Sequence, residues 1–226
     1  MTLEVAVEAV DVAIPVSGRD GGPRGLPGRL ALPGASPLGL VIFAHGSGSS
    51  RMSPRNAAVA AVLHESRIGT LLFDLLTEQE AADRVNVFDV GLLGERLAAA
   101  IAFVRSQDQT ATLPLGLFGA STGAAAALVA AAHDPDIAAV VSRGGRPDMA
   151  GASLARVHCP TLLIVGGHDA DVLALNRLAL EHLGGEKQLA VIPGATHLFE
   201  EPGTLDEAAR LAAEWFARHL HPRGRS

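Results

Sequence analysis

Ser121 lies in Gly119-Ala120-Ser121-Thr122-Gly123, between the apolar run LPLGLF and the alanine-rich stretch TGAAAALVAAA. Glycines two residues to either side let a strand turn sharply into a helix, which lifts the serine hydroxyl clear of a sheet. So placed, the hydroxyl can attack an acyl carbon if a base takes its proton. Downstream, Asp169 follows TLLIVGGH and His197 follows QLAVIPGAT, 48 and then a further 28 residues on. Nucleophile, acid, then base is the chain order expected when each group ends a successive strand of an open α/β sheet. In that arrangement His197 deprotonates Ser121, and Asp169 holds the imidazole tautomer and stabilises its charged form. Because the base must be neutral, the reaction should slow as pH falls from about 8 to about 5.

An attack on a carbonyl needs donors for the oxygen that becomes negative. The Thr122 amide, first of the alanine-rich helix, points where that oxygen would form, aided by the helix dipole. A second donor is expected from the Ser47 amide in His45-Gly46-Ser47-Gly48, the glycine-rich turn after LVIFA. Losing one such donor typically costs about 2.7–4 kcal/mol of transition-state stabilisation. His45 precedes the nucleophile and ends a buried strand, so its expected task is to order this turn. Asp171 is expected at a helix start as an N-cap, and Cys159 as a small buried hydrophobe.

Arg51 and Arg55 flank the start of the helix that follows the glycine-rich turn, and Arg143 and Arg146 lie in VVSRGGRPD. One or more of these is expected to bind substrate, with Arg51, Arg143 and Arg146 the three candidate ligands. Guanidinium forks suit a carboxylate or phosphate on the substrate; the competing expectation is pairing with Asp148 or contact with solvent. His133, His158, His168 and His182 lack metal-ligand spacing, there is no H-E-x-x-H, and a lone cysteine makes no thiolate cluster. No metal and no cofactor are expected, and the partner is a small-molecule substrate.

Positioning these groups requires a sheet. Apolar runs bounded by glycine or proline at Leu40–Ala44, Thr70–Phe73, Leu115–Phe118, Ala138–Val141, Thr161–Val165 and Gln188–Ile192 read as buried parallel strands. Between them, helical spacing marks Pro54–Ser66, Val90–Ser106, Thr122–His133, Asp171–Leu183 and Leu205–Leu220. Residues 1–32 differ: Leu3–Ile14 alternates, Arg29–Leu32 is a short apolar run, and SGRDGGPRGLPG between them is a Gly/Pro loop, together an antiparallel edge pair. The expected fold is one α/β domain over residues 1–226, a three-layer α/β/α sandwich. Its sheet is mostly parallel, with about eight strands. Only about a dozen residues follow VVSRGGRPD before the next strand, too few for a lid domain.

Composition narrows the classes of function. The 226 residues are 48% hydrophobic and 19% charged, with net charge −6, which suits a folded core and not phosphate neutralisation along nucleic acid. The longest apolar run, Ala124–Ala132, is nine residues; a membrane span needs about 20. MTLEVAVEAV carries acids where a secretory leader carries bases, so the expected location is the cytoplasm. Neither nucleic acid nor membrane is an expected partner, and the oligomeric state is left open.

From about Leu30 to Leu220, on the strength of HGSGSS, GASTG, GGHD and GATH, the chain resembles the α/β-hydrolase superfamily. Within it the likeness is to the small lidless enzymes of the dienelactone hydrolase-like group. The resemblance implies Ser121 as nucleophile, Asp169 as orienting acid, His197 as general base and the Ser47 and Thr122 amides as oxyanion donors. It departs at the nucleophile, a serine where dienelactone hydrolases proper have a cysteine, which points to an esterase acting on a small ester, thioester or lactone through an acyl-enzyme. The alternatives are a non-catalytic hydrolase fold used for binding, and acyl transfer by the same three residues.

Overall fold

The computed structural model describes residues 6–18, 21–34 and 36–221. Strands β3 (Gly39–Ala44), β5 (Leu115–Ala120) and β7 (Thr161–Gly166) are buried at every residue, as runs apolar on both faces require. With β4 (Ile68–Phe73), β6 (Ile137–Arg143) and β8 (Lys187–Ile192) they form parallel ladders. Antiparallel β1 (Val7–Ser17) and β2 (Pro23–Pro33) extend the sheet to eight strands, ordered β1-β2-β4-β3-β5-β6-β7-β8.

Helices cover both faces. On one side α1 (Pro54–Glu65) and α7 (Thr204–His219) bury Val59, Leu63, Trp215 and Phe216 against the sheet. On the other, α4 (Val90–Arg105), α5 (Thr122–His133) and α6 (Ala170–His182) pack Leu97, Leu128 and Ala179 into a second core. The alanines of α5 let it sit close to β5: Ala124 through Ala127 are fully buried. This is the expected three-layer arrangement. After β6 the chain makes only a 3-10 segment, Pro147–Arg156, and no lid domain.

Three features differ from the sequence expectation. The Gly/Pro loop is shorter, because β2 begins at Pro23; Pro23 and Pro27 are tolerated where β2 pairs with β1 alone, its ladder to β4 spanning Gly28–Ala31. The alternating run begins at Val7 and continues to Ser17, and Leu3–Val5 lie outside the described residues. Two short helices, α2 (Glu78–Ala81) and α3 (Arg84–Phe88), also fill the β4–α4 connection. A capping box joins Thr77 and Glu80. Buried Arg96 of α4 pins this segment, donating to Glu80 Oε1 and to the Ser17 carbonyl, both at 2.6 Å. Among the described residues no helix is long and apolar enough to cross a membrane.

Candidate active site

Parallel order places the ends of β3, β5, β6, β7 and β8 along one edge of the sheet, and the polar groups singled out above collect there. At the end of β5, Ser121 adopts φ 51° and ψ −122°. Few L-residues occupy that region, and retaining one costs of order 1–3 kcal/mol. Ser121 stands at the N-cap of α5, yet its side chain makes no capping bond. The simplest structural explanation for a serine at this position is therefore absent. Its backbone is instead held from both sides: its amide donates to the Arg143 carbonyl at 3.3 Å, and its carbonyl accepts from the Arg146 amide at 3.1 Å.

The flanking glycines are required by contact. A Cβ on Gly119 would lie 2.3 Å from Ala124 Cα, and one on Gly123 would lie 2.2 Å from the Ala44 carbonyl oxygen. Both obstacles are backbone, which cannot step aside as a side chain can. Gly123→Ala is expected to destabilise the fold by about 1–3 kcal/mol or more, from overpacking. A urea midpoint unchanged from wild type would show that the elbow is looser than this contact implies.

Asp169 and His197 meet. His197 Nδ1 lies 2.7 Å from Asp169 Oδ2, with the carboxylate largely buried and the imidazole 38% exposed. Asp169, not Asp171, occupies the N-cap of α6; Asp171 falls inside the first turn, correcting the expected assignment. As an N-cap, Asp169 makes no side-chain capping bond, so its carboxylate is directed at the imidazole. Ser121 and His197 line the same pocket, of about 230 Å³. The Arg143–Arg146 loop joins them. It holds the Ser121 backbone, and a Cβ on its Gly144 would lie 3.7 Å from His197 Cε1.

On the opposite wall, Gly46 approaches so closely that an added Cβ would lie 2.9 Å from Ser121 Cβ. Here the expected second oxyanion donor is already engaged: the Ser47 amide donates to Thr122 Oγ1 at 2.9 Å. For that N–H to serve another acceptor, Thr122 Oγ1 would have to rotate away, and threonine in a helix has two χ1 wells.

His45 orders the turn as expected. Its Nε2 accepts from the Leu75 amide at 3.1 Å and its Nδ1 sits 3.0 Å from the Gly46 carbonyl, a pattern only the neutral Nδ1–H tautomer satisfies. Burial, the largest influence, lowers its pKa below the ordinary histidine value, against smaller raising effects from Gly46 and Asp74. A group whose neutral form is favoured by folding contributes stability that is full above the unfolded pKa of about 6.5 and is lost as pH falls below it. His64, also lowered by burial, acts with the same sign. Urea midpoints at about pH 7.5 and pH 5 should therefore differ in wild type and differ less in His45→Gln. An equal acid loss in the variant would contradict this role.

The three arginines separate. The Arg51 guanidinium pairs with Asp74 Oδ2, and its amide donates to Asp74 Oδ1 at 2.7 Å. Arg146 forms a two-pronged pair with Asp148 at 2.9 and 2.7 Å. Arg146 thus meets the competing expectation of pairing with Asp148, and Arg51 is paired within the chain with Asp74. Arg143 is different: 7% exposed, it donates only to Asn56 Oδ1, at 3.3 Å, and its Nη1 has no hydrogen-bond partner. Burial, with the like charge of Arg55, pushes its pKa down to about 10, so it stays charged at neutral pH. Asn56 and the α2–α3 segment were not singled out from sequence. The T-x-x-E pattern of Thr77 and Glu80 was the signal available for the latter. Together with the turn at His45–Gly48, α2 and α3 wall a larger cavity of about 630 Å³. Among the described residues no three His, Cys, Asp or Glu side chains are grouped to hold a metal ion.

Comparison with known proteins agrees with this architecture. A solved dienelactone hydrolase from Anabaena variabilis ATCC 29413 is 49% identical, with a TM-score of 0.89, over 95% of this chain and 99% of that one. Est1E from Butyrivibrio proteoclasticus superposes with a TM-score of 0.72 at 17% identity, covering 91% of this chain and 99% of that one, a likeness of fold alone. A curated protein of Mycobacterium tuberculosis (strain H37Rv), named "Putative phosphoribosyl transferase", is 58% identical over 201 residues, 88% of this chain. The chain spans about half the length of that relative, 45%. Residues 68–220 match the family described as the dienelactone hydrolase family. With most of its length matched and the fold shared, the chain belongs to the dienelactone hydrolase family and has the α/β-hydrolase fold.

Proposed function

We propose that the protein is a serine hydrolase that cleaves a small carboxylic ester, thioester or lactone through an acyl-enzyme. The observation that carries this reading is the 2.7 Å contact between His197 Nδ1 and Asp169 Oδ2 at the pocket of a positive-φ serine that caps nothing. With Nδ1–H committed to Asp169, Nε2 is left as the acceptor for a proton. Ser121 Oγ bonds to the acyl carbon, its proton passes to His197, and the carbonyl electrons move onto oxygen. Collapse of that intermediate breaks the bond to the leaving alcohol or thiol, which takes the proton from His197. Water then repeats the sequence on the acyl-enzyme and regenerates the serine.

The oxyanion is held by the amides of Thr122 and Ser47, the latter once Thr122 Oγ1 gives it up. Donors so placed act where charge develops, at the N-terminus of α5. The name of the mycobacterial relative describes a chain more than twice as long as the stretch matched here, so phosphoribosyl transfer is not assigned to these residues. A panel of p-nitrophenyl esters of rising chain length, with a small thioester and lactones, tests the reading. Turnover of at least one class, abolished by Ser121→Ala, is expected; no turnover of any, or turnover untouched by that substitution, would contradict it.

A further inference from the structure

Beside Ser121 runs a wall that offers donors and no acids. Ser49, Ser53, Arg55, Asn56 and Arg143 line the same 230 Å³ pocket as Ser121 and His197, and none of its lining residues is an aspartate or glutamate. Arg143 lies between two aromatic rings, its guanidinium carbon 5.9 Å from the Phe118 centroid and 5.8 Å from that of Phe199. The rings give partial compensation for burying a charge, but no carboxylate does, and Nη1 remains unpartnered. Arg55 reaches only Glu200, at 3.5 Å, and that glutamate is 66% exposed and outside the pocket. The N-terminus of the twelve-residue α1, capped by Ser53, faces the same space and adds positive potential.

An isolated buried cation is unfavourable unless something of opposite charge joins it. We propose that this wall is the subsite for an anionic oxygen group, a phosphate or a carboxylate, carried by the substrate that Ser121 attacks. The inference rests on the reading of Ser121 as nucleophile. Two guanidinium groups and a helix N-terminus match a doubly charged group best, so a phosphate should bind more tightly than a carboxylate. The small volume takes such a group beside the acyl carbon that Ser121 attacks. The remainder of the substrate extends past Gly46, Ser47 and Ser49 into the larger cavity, whose wall those residues share.

Two measurements test this separately from the chemistry. In Ser121→Ala protein, inorganic phosphate should raise the melting temperature, and the rise should disappear when Arg143→Met is added. In protein with Ser121 intact, matched p-nitrophenyl esters with neutral, carboxylate and phosphate termini should respond unequally to Arg143→Met. The anionic esters should lose about tenfold or more in kcat/KM and the neutral one less than about threefold. Arg143→Lys should fall between. Asn56→Asp, which supplies a carboxylate to Arg143 without emptying the pocket, should reproduce the loss and serves if Arg143→Met does not fold. The larger loss, on the phosphate or on the carboxylate ester, identifies the group. Equal losses on neutral and anionic esters, or phosphate stabilisation indifferent to Arg143, would overturn the subsite. Ester turnover that survives Ser121→Ala, with phosphate binding still dependent on Arg143, would instead sink the nucleophile reading and leave the subsite standing.

Discussion

Replacing Ser121 by glycine is expected to abolish turnover and, at the same time, to raise the melting temperature. The first effect follows from removal of the attacking hydroxyl, which in serine hydrolysis leaves a rate lower by about 10⁴-fold or more. The second follows from φ 51° and ψ −122°, a conformation that glycine accepts and serine resists. Relief of that strain, reduced by the extra freedom glycine gives the unfolded chain, should leave about 1–2 kcal/mol of net stabilisation. For a domain of this size that is ~2–8 °C. Ser121→Ala separates the two effects: it removes the hydroxyl but keeps a Cβ in the strained region, so activity is lost without the stability gain. Calorimetry beside an ester assay checks the pair. A glycine variant less stable than wild type would mean that the strain at this elbow is relieved in some other way.

The other large effect belongs to the Asp169–His197 pair. His197→Ala removes the base, and Asp169→Asn removes the acceptor that fixes which imidazole nitrogen carries the proton. Each is expected to lower kcat by about 10⁴-fold. Because the three groups act as one unit, the losses should not multiply: Ser121→Ala combined with Asp169→Asn should be no slower than Ser121→Ala alone. Asp169 packs at the start of α6 without capping it, and asparagine keeps an oxygen for the imidazole N–H, so Asp169→Asn should cost no more than about 1–2 kcal/mol of unfolding free energy in urea. A stability loss matching the activity loss would recast Asp169 as a structural residue.

The parts of this site that could be read along the chain are those that a strand end determines. Ser121 and Asp169 each follow a run buried on both faces, and runs of that kind announce a parallel sheet whose ends converge. His197 follows β8, an edge strand largely exposed or half-buried and not the buried strand its apolar run suggested, yet its end lies along the same edge. What could not be read depends on side chains that meet only after folding. Arg51 is neutralised by Asp74 because β3 and β4 lie side by side; nothing near Arg51 in sequence signals an acid partner. Arg143 is buried because Phe199 and Asn56 arrive from distant elements. The Ser47 amide is occupied by Thr122 Oγ1, a contact between residues 75 apart in the chain. The short helices α2 and α3, of four and five residues, are below the length at which helical periodicity shows.

The most direct measurement is covalent labelling with a fluorophosphonate, read by intact mass and by the modified peptide. A nucleophilic serine with a base beside it should take one phosphonyl group per chain, on Ser121. Labelling should slow strongly in His197→Ala and Asp169→Asn and disappear in Ser121→Ala. A wild-type protein that stays unlabelled, or a label that persists at another residue when Ser121 is replaced, would contradict the account.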